Sequence, residues 1–244
     1  MQQIFIEQSI EVGQQFELQG DDVKHIVSVL RMKPGEILRV SCENQRNFLC
    51  ELLICQKDMV KLEVSEEVPS TELPQKIYLF QAIPKGDRME TVVEKAVELG
   101  VYEIIPVEMK YCVVKLDEKK KANRCKRYQS IAESAAKQSK RSRIPQVHSV
   151  MTYKEAVEYA NTNCDLKLVP YECKDGMDAT KTALAKVKDA SSIAIFIGPE
   201  GGFAPEEIEM VQDTMEILSL GKRILRTDTA AITSMSMVML ACEC

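Results

Sequence analysis

Histidine is nearly missing from this 244-residue chain: His25 and His148 are the only two. A Ser/His/Asp or Cys/His triad is thereby nearly excluded, because each histidine would need its own nucleophile and orienting group. Neither a GxGxxG fingerprint nor a GxxxxGK(S/T) loop occurs, which disfavours conventional dinucleotide and nucleoside-triphosphate sites. No uninterrupted apolar stretch is long enough to span a bilayer. The start, Met1 to Glu7, lacks the basic and apolar regions of a secretory signal. Nine cysteines (42, 50, 55, 112, 125, 164, 173, 242 and 244) are an odd number, scattered, without a CxxC pair or a histidine at zinc spacing. That usage fits a reduced cytoplasm, with thiols acting as small buried hydrophobes and no metal centre.

What is present has the balance of a globular protein, 45% hydrophobic and 28% charged. The net charge of -5 is unevenly spread: between Lys110 and Arg143 twelve Lys/Arg face only Asp117, Glu118 and Glu133. A basic stripe on an acidic chain points to a localised polyanion-binding face; the competing reading is a solvated helix face.

Residues 1 to about 66 alternate short apolar runs with turn signals, as in Ile4–Ile6, Glu36–Val40, Asn47–Leu52 and Val60–Val64. Strands at this spacing imply a small barrel or sandwich. One helix is expected over Asp21–Leu30 with Asp21 as N-cap, leading into the basic turn Arg31-Met32-Lys33-Pro34-Gly35. Glu66 to Pro74, with two prolines and no periodicity, has linker composition. The expected domains are therefore 1–70 and 75–244. Beyond the linker the pattern becomes strand, helix, strand: Ile77–Ala82, then Asp87–Leu99 closed by Gly100, then Ile104–Val107. This is α/β grammar with a parallel sheet. Later come a basic helix over about Glu118–Ser139, a strand at Leu166–Val169, helices at Lys181–Lys188 and Pro205–Thr214, and an apolar helix from about Thr229 to Cys242.

The densest information lies in two loops, Ile197-Gly198-Pro199-Glu200-Gly201-Gly202 and Leu220-Gly221 through Ile224-Leu225-Arg226-Thr227-Asp228-Thr229-Ala230. The first ends the buried strand Ile193–Ile197, which delivers free backbone groups to the edge where open α/β sheets bind ligands. Glycines 198, 201 and 202 let backbone approach a small molecule closely. Thr227 or Thr229 could cap the following helix, which explains the threonines without any function but leaves Arg226 unexplained. Ordinary strand-to-helix turns are the bland alternative for both loops.

At these residues the chain resembles the SPOUT-class RNA methyltransferases, specifically the RsmE family, which methylates N3 of a uridine in 16S rRNA. The likeness extends over nearly the whole chain, through His25 with Val29-Leu30-Arg31 and Gly35, Lys85 to Pro106, Ala135 to Ser139 with Arg141 and Pro145, and both late loops. It implies an N-terminal PUA-like barrel, a C-terminal domain with a deep trefoil knot, a homodimer, and S-adenosylmethionine as methyl donor. It also implies cofactor contacts from Ile197, Gly198, Pro199, Glu200 and Gly201, from Leu218, Ser219, Leu220 and Gly221, and from Ile224, Leu225, Arg226 and Thr229. RNA contacts are expected from His25, Arg31, Lys33, Lys85, Arg88, Lys137, Lys140, Arg141 and Arg143, on the small ribosomal subunit or its RNA. Cys112 stands near a place where relatives are expected to carry a small polar residue.

In such a reaction the uracil N3 attacks as its proton leaves, and charge spreads onto the carbonyl oxygens. Arg226 is the expected electrostatic stabiliser, with Glu200 or Asp228 as proton acceptor unless either merely holds its loop. Two rivals remain at this stage: a noncatalytic RNA-binding or ribosome-assembly factor, and a SPOUT methyltransferase acting on another RNA.

Overall fold

The computed structural model describes residues 1–172 and 176–243, so Cys173 and Cys244 lie outside the described residues. Two compact units emerge, Met1–Glu72 with Ala136–Ile144, and Leu73–Ala135 with Pro145–Cys244. The short piece 136–144 departs from a simple split, because its polar backbone and side chains are used within the first unit. Gln3 Nε2 donates to the Arg141 carbonyl at 2.7 Å and Asn47 Nδ2 donates to Ser142 Oγ at 2.8 Å.

The first unit is a five-stranded sheet: β1 (Gln2–Ile6), β2 (Gln15–Leu18), β3 (Ile37–Cys42), β4 (Asn47–Cys55) and β5 (Val60–Val68), in the order β1-β3-β4-β5-β2. Alternate side chains close the core, among them Ile4, Leu38, Val40, Phe48, Leu52 and Leu62, all fully buried. The expected helix over Asp21–Leu30 is instead one α-turn, α1 (Asp21–Lys24), followed by a π-helical turn, His25–Val29. Asp21 is not the cap: Gly20 occupies that position, and the Asp21 carboxylate pairs with Lys24 Nζ at 2.9 Å. Leu30 N reaches back to the His25 carbonyl, and Arg31 then turns left-handed at φ 55°.

The second unit carries strands β6 (Lys76–Ala82), β7 (Val101–Glu108), β8 (Gln146–Val147), β9 (Met151–Thr152), β10 (Leu166–Pro170), β11 (Ser192–Ile197) and β12 (Glu216–Leu218). Their order is β12-β10-β11-β6-β7-β8, with β9 also on β7, and every pairing is parallel. Six consecutive buried residues in β11 show why the sequence reads as a continuous apolar run there: helices cover both faces. Those helices are α2 (Arg88–Glu98), α3 (Glu118–Ser139, whose end enters the first unit), α4 (Tyr153–Asn163), α5 (Asp178–Ala185), α6 (Pro205–Glu209) and α7 (Thr227–Glu243). α6 is shorter than the expected Pro205–Thr214, because Val211 and Thr214 already donate to carbonyls three residues back. Gly100, at φ 89°, ends α2 as expected. Among the described residues no helix is long and apolar enough to cross a membrane.

Candidate active site

Parallel register sets Gln81 of β6 level with Ile197 of β11, and Pro170 of β10 level with Leu218 of β12. Their carboxyl ends surround a cleft of about 260 Å³ within the second unit, walled by both glycine loops and by the start of α7. Of the sequence-derived candidates, Ile197, Gly198, Pro199, Glu200, Ser219, Leu220, Gly221, Ile224, Leu225 and Arg226 line it. Gly201, Leu218 and Thr229 are not among the lining residues. Leu218 is buried beneath the cleft and gives its carbonyl to Tyr171 N, Gly201 faces Tyr111, and Thr229 is exposed on the first turn of α7.

A buried relay ties the two loops together. Thr227 Oγ1 donates to the Gly198 carbonyl at 2.8 Å and accepts from Gln81 Nε2 at 3.0 Å. The threonine that sequence reasoning offered as a helix cap thus joins one loop to the other across the sheet edge. On the far side Thr180 of α5 both donates to the Ser219 carbonyl (2.7 Å) and accepts from Ser219 N (3.1 Å), and Gly221 N then donates to Ser219 Oγ (3.2 Å). Gly198 is tightly packed: a Cβ there would lie 3.0 Å from the Phe203 ring, which would have to give way slightly.

Glu200 is committed rather than free. Its Oε1 accepts from Lys85 N at 3.0 Å and from Arg88 Nη1 at 2.5 Å. Partial burial alone would raise its carboxyl, but hydrogen bonds from its own amide and from Lys85, together with Arg88, hold it below the usual carboxylate range. Arg226, by contrast, is exposed on the cleft wall with no side-chain partner among the described residues. Asp228 Oδ1 is buried and has none either.

Gly202, read from sequence as a close-approach glycine, also lines the cleft, while sequence reasoning missed Pro170, Tyr171, Glu172, Phe203, Arg223, Thr227 and Ala230 as lining residues. Leu166–Val169 reads as a strand, so the segment after it was legible as a sheet end. Which strand it sits beside was not, because β10 pairs with both β11 and β12 out of chain order.

The basic residues divide. Arg31 and Lys33 are exposed and His25 is half-buried, all on or just after the π-turn. Lys85 is exposed and Arg88 is spent on Glu200. Lys140 Nζ donates to the carbonyls of Met1 and Lys137. Arg141 is only 3% exposed and donates through Nε and Nη2 to both oxygens of Glu72. Its expected exposure to RNA is therefore corrected: a buried bidentate pair is where this guanidinium sits. Lys137 and Arg143 are half-buried. Cys112 is also buried, and its Sγ accepts from Met109 N at 3.4 Å within a tight turn. Burial pushes its thiol up, as it does for Cys50 and Cys164, both to about 12.

A parallel α/β sheet with a walled cleft at its carboxyl edge, in a chain that also carries a small β unit, defines a two-domain ligand-binding scaffold. Residues 71–239 match the model of an RNA methyltransferase domain, and residues 18–65 that of an RNA methyltransferase PUA domain. The ribosomal RNA small subunit methyltransferase E of Bacillus subtilis is 36% identical over 98% of this chain and 96% of its own length. Its counterpart in Mesomycoplasma hyopneumoniae is 34% identical over 89% of this chain and 90% of its own. A ribosomal RNA small subunit methyltransferase E from Neisseria gonorrhoeae, solved bound to S-adenosyl methionine, superposes with a TM-score of 0.82 at 30% identity, covering 97% of this chain and 95% of that one. The chain belongs to the ribosomal RNA small subunit methyltransferase E family, and its fold class, an α/β methyltransferase domain with an N-terminal PUA domain, is the one the sequence led us to expect.

Proposed function

We propose that this protein transfers a methyl group from S-adenosylmethionine to N3 of one uridine in 16S rRNA of the small ribosomal subunit. The observation that carries the reading is the cleft itself, with two glycine loops bound to each other through Thr227 and an arginine on its wall that has no other partner among the described residues. The cleft suits the cofactor: Ile197, Leu220, Leu225 and Phe203 offer apolar surface to an adenine, while Gly198 and Gly202, lacking side chains, let the backbone of the wall come close. When bound, the cofactor supplies an electrophilic methyl carbon on a sulfonium sulfur.

The chain's own residues then orient the uracil and stabilise it as it loses its proton. Arg226 donates to the uracil carbonyl oxygens, where negative charge accumulates. Glu200, held ionised by Arg88 and Lys85 N, fixes the first loop and is a weak base in that setting. Asp228, beside Thr227 on the first turn of α7, is the other candidate acceptor; it is not a lining residue of the cleft, and its Oδ1 is buried without a partner among the described residues. Both loops form the knotted segment of the domain, and Arg31, Lys33 and His25 contact RNA phosphates from the first unit.

The protein works as a homodimer in the cytoplasm. α7 is apolar nearly all round: Ala231, Met235 and Val238 are buried, while Leu240 is 55% exposed and Ile232 and Met239 are half-buried. A helix of this kind fits a second copy against its outer face. Incubation with radiolabelled cofactor and small subunits from a strain lacking the enzyme, followed by nucleoside mapping, tests the assignment. Label in 3-methyluridine at a single site supports it; label in transfer RNA or on another base rejects it.

A further inference from the structure

The loop after β7, Met109 to Val113, has no part in the reaction as described, yet it is fastened to the first glycine loop with unusual thoroughness. Lys110 N donates to Glu207 Oε1 at 2.9 Å, while the other oxygen of that buried carboxylate accepts from Ala204 N at 2.8 Å. Lys110 Nζ pairs with Glu206, and the Cys112 turn closes the loop from inside. Between these anchors Tyr111 lies directly on Gly201: a Cβ added to that glycine would sit 3.0 Å from the Tyr111 Cβ. Gly201 is flanked in sequence by Glu200 and Gly202, both in the cleft wall. In spite of this anchoring Tyr111 remains 42% exposed, with Lys110 Nζ 5.8 Å from its ring centroid.

We propose that Tyr111 is a stacking platform for a nucleobase of the RNA, either the reacting uridine or its neighbour. This deepens the RNA-methyltransferase reading and rests on it. Single-stranded and flipped bases are held chiefly by aromatic side chains, because every base presents a π-face. A rigidly mounted, open phenol ring beside the cleft meets that need without ordering a loop at the moment of binding. Lys85, on the loop whose backbone amide holds Glu200, is exposed, and its charge suits the phosphates that accompany a base. A tyrosine serving only to cover Gly201 would be equally well replaced by an aliphatic side chain.

Three variants of the full-length protein separate the two roles. Tyr111→Phe keeps the ring, Tyr111→Leu keeps the apolar bulk without the ring, and Tyr111→Trp adds an indole to a chain that has no tryptophan. Steady-state methylation of small subunits is to give KM for RNA and kcat, calorimetry the affinity for S-adenosylmethionine, and filter retention the RNA affinity independently of turnover. Stacking predicts that Tyr111→Leu weakens RNA binding about 5- to 100-fold while cofactor affinity stays within twofold and Tyr111→Phe matches the parent. The Tyr111→Trp indole is to be quenched by RNA. Unchanged RNA affinity in Tyr111→Leu, an equal loss in Tyr111→Phe, a parallel loss of cofactor affinity, or an indole indifferent to RNA would each overturn the proposal. A parent protein that binds this RNA without methylating it would count against the assigned reaction alone, since the binding arms stand without turnover.

Discussion

Replacing Thr227 by valine removes one hydroxyl and little else, so it isolates the bond between the two cleft loops. In the parent that hydroxyl satisfies two groups at once, the Gly198 carbonyl and the Gln81 amide. Thr227 is 4% exposed and Gln81 is fully buried, while Gly198 is half-buried at the cleft wall. Leaving a buried polar group unpaired costs about 1–3 kcal/mol, and because Gln81 Nε2 keeps its bond to the Ala82 carbonyl at 2.9 Å the loss of both Thr227 bonds is worth roughly 1–3 kcal/mol. For a chain of this size that corresponds to a fall in Tm of about 3–9 °C. Gly198 also loses its tether, and the affinity for S-adenosylmethionine is expected to fall about tenfold, the equivalent of 1.4 kcal/mol. Circular dichroism melts and calorimetry measure the two effects, with Thr227→Ser as control because it keeps the hydroxyl. A valine variant melting within about 1 °C of the parent with unchanged cofactor affinity would refute the relay, as would a serine variant that fails as badly as valine.

Other outcomes follow from the same geometry. Arg226→Ala should lower kcat by about 10²–10³ with cofactor affinity nearly intact, read by single-turnover methylation; a change confined to KM would place Arg226 in ground-state binding. Glu200→Gln bears on pH. Its carboxyl is held below the ordinary range in the folded chain, so its stabilising share is present above the unfolded carboxylate pKa and lost as pH falls through the folded value. The variant's acid unfolding should therefore be less steep than the parent's, while its rate profile at neutral and alkaline pH keeps the parent's shape; loss of the acid-side limb of that profile would make Glu200 the base after all. Arg141→Ala should cost about 3–5 kcal/mol of stability by stranding the Glu72 carboxylate, seen as a lower urea midpoint rather than a changed salt dependence of RNA binding. Gly100→Ala should also destabilise, by more than about 1 kcal/mol, because φ is 89° and its Cβ would meet Leu73 Cδ1 at 2.5 Å.

Local chemistry made part of this legible in advance. Gly100 ends α2 because a left-handed residue is needed after Glu98-Leu99, and β11 reads as buried because both its faces are covered. The glycine loops could be placed at a strand end from sequence because only the order of apolar run and turn is required. Sheet order is a different kind of fact. Nothing in the residues of β10 says that it inserts between β11 and β12, so Tyr171 and Glu172 could not be assigned to the cleft. The fate of individual charges was equally hidden. Arg141 and Arg31 look alike in a basic count, yet one is sealed against Glu72 and the other stands in solvent on a left-handed residue. The π-turn at His25–Val29 was invisible for a related reason: the residues are ordinary helix formers, and the wider turn is set by where Leu30 N finds its carbonyl.

The charges that remain in the cleft bear on how a weakly acidic imide is made nucleophilic. Its charged lining residues are Glu172, Glu200, Arg223 and Arg226. Glu200 is neutralised by Arg88, which leaves one carboxylate against two guanidinium groups among the described residues. A surplus of positive charge in a partly enclosed site favours the anion of the bound base over its neutral form, because the interaction is screened less there than in bulk water. The arrangement therefore places the larger share of activation on stabilising the product of deprotonation and the smaller share on the strength of any base. Pairing Glu200 with Arg88 serves the same end: an unpaired carboxylate at that position would oppose the anionic charge that the proposed function assigns to Arg226.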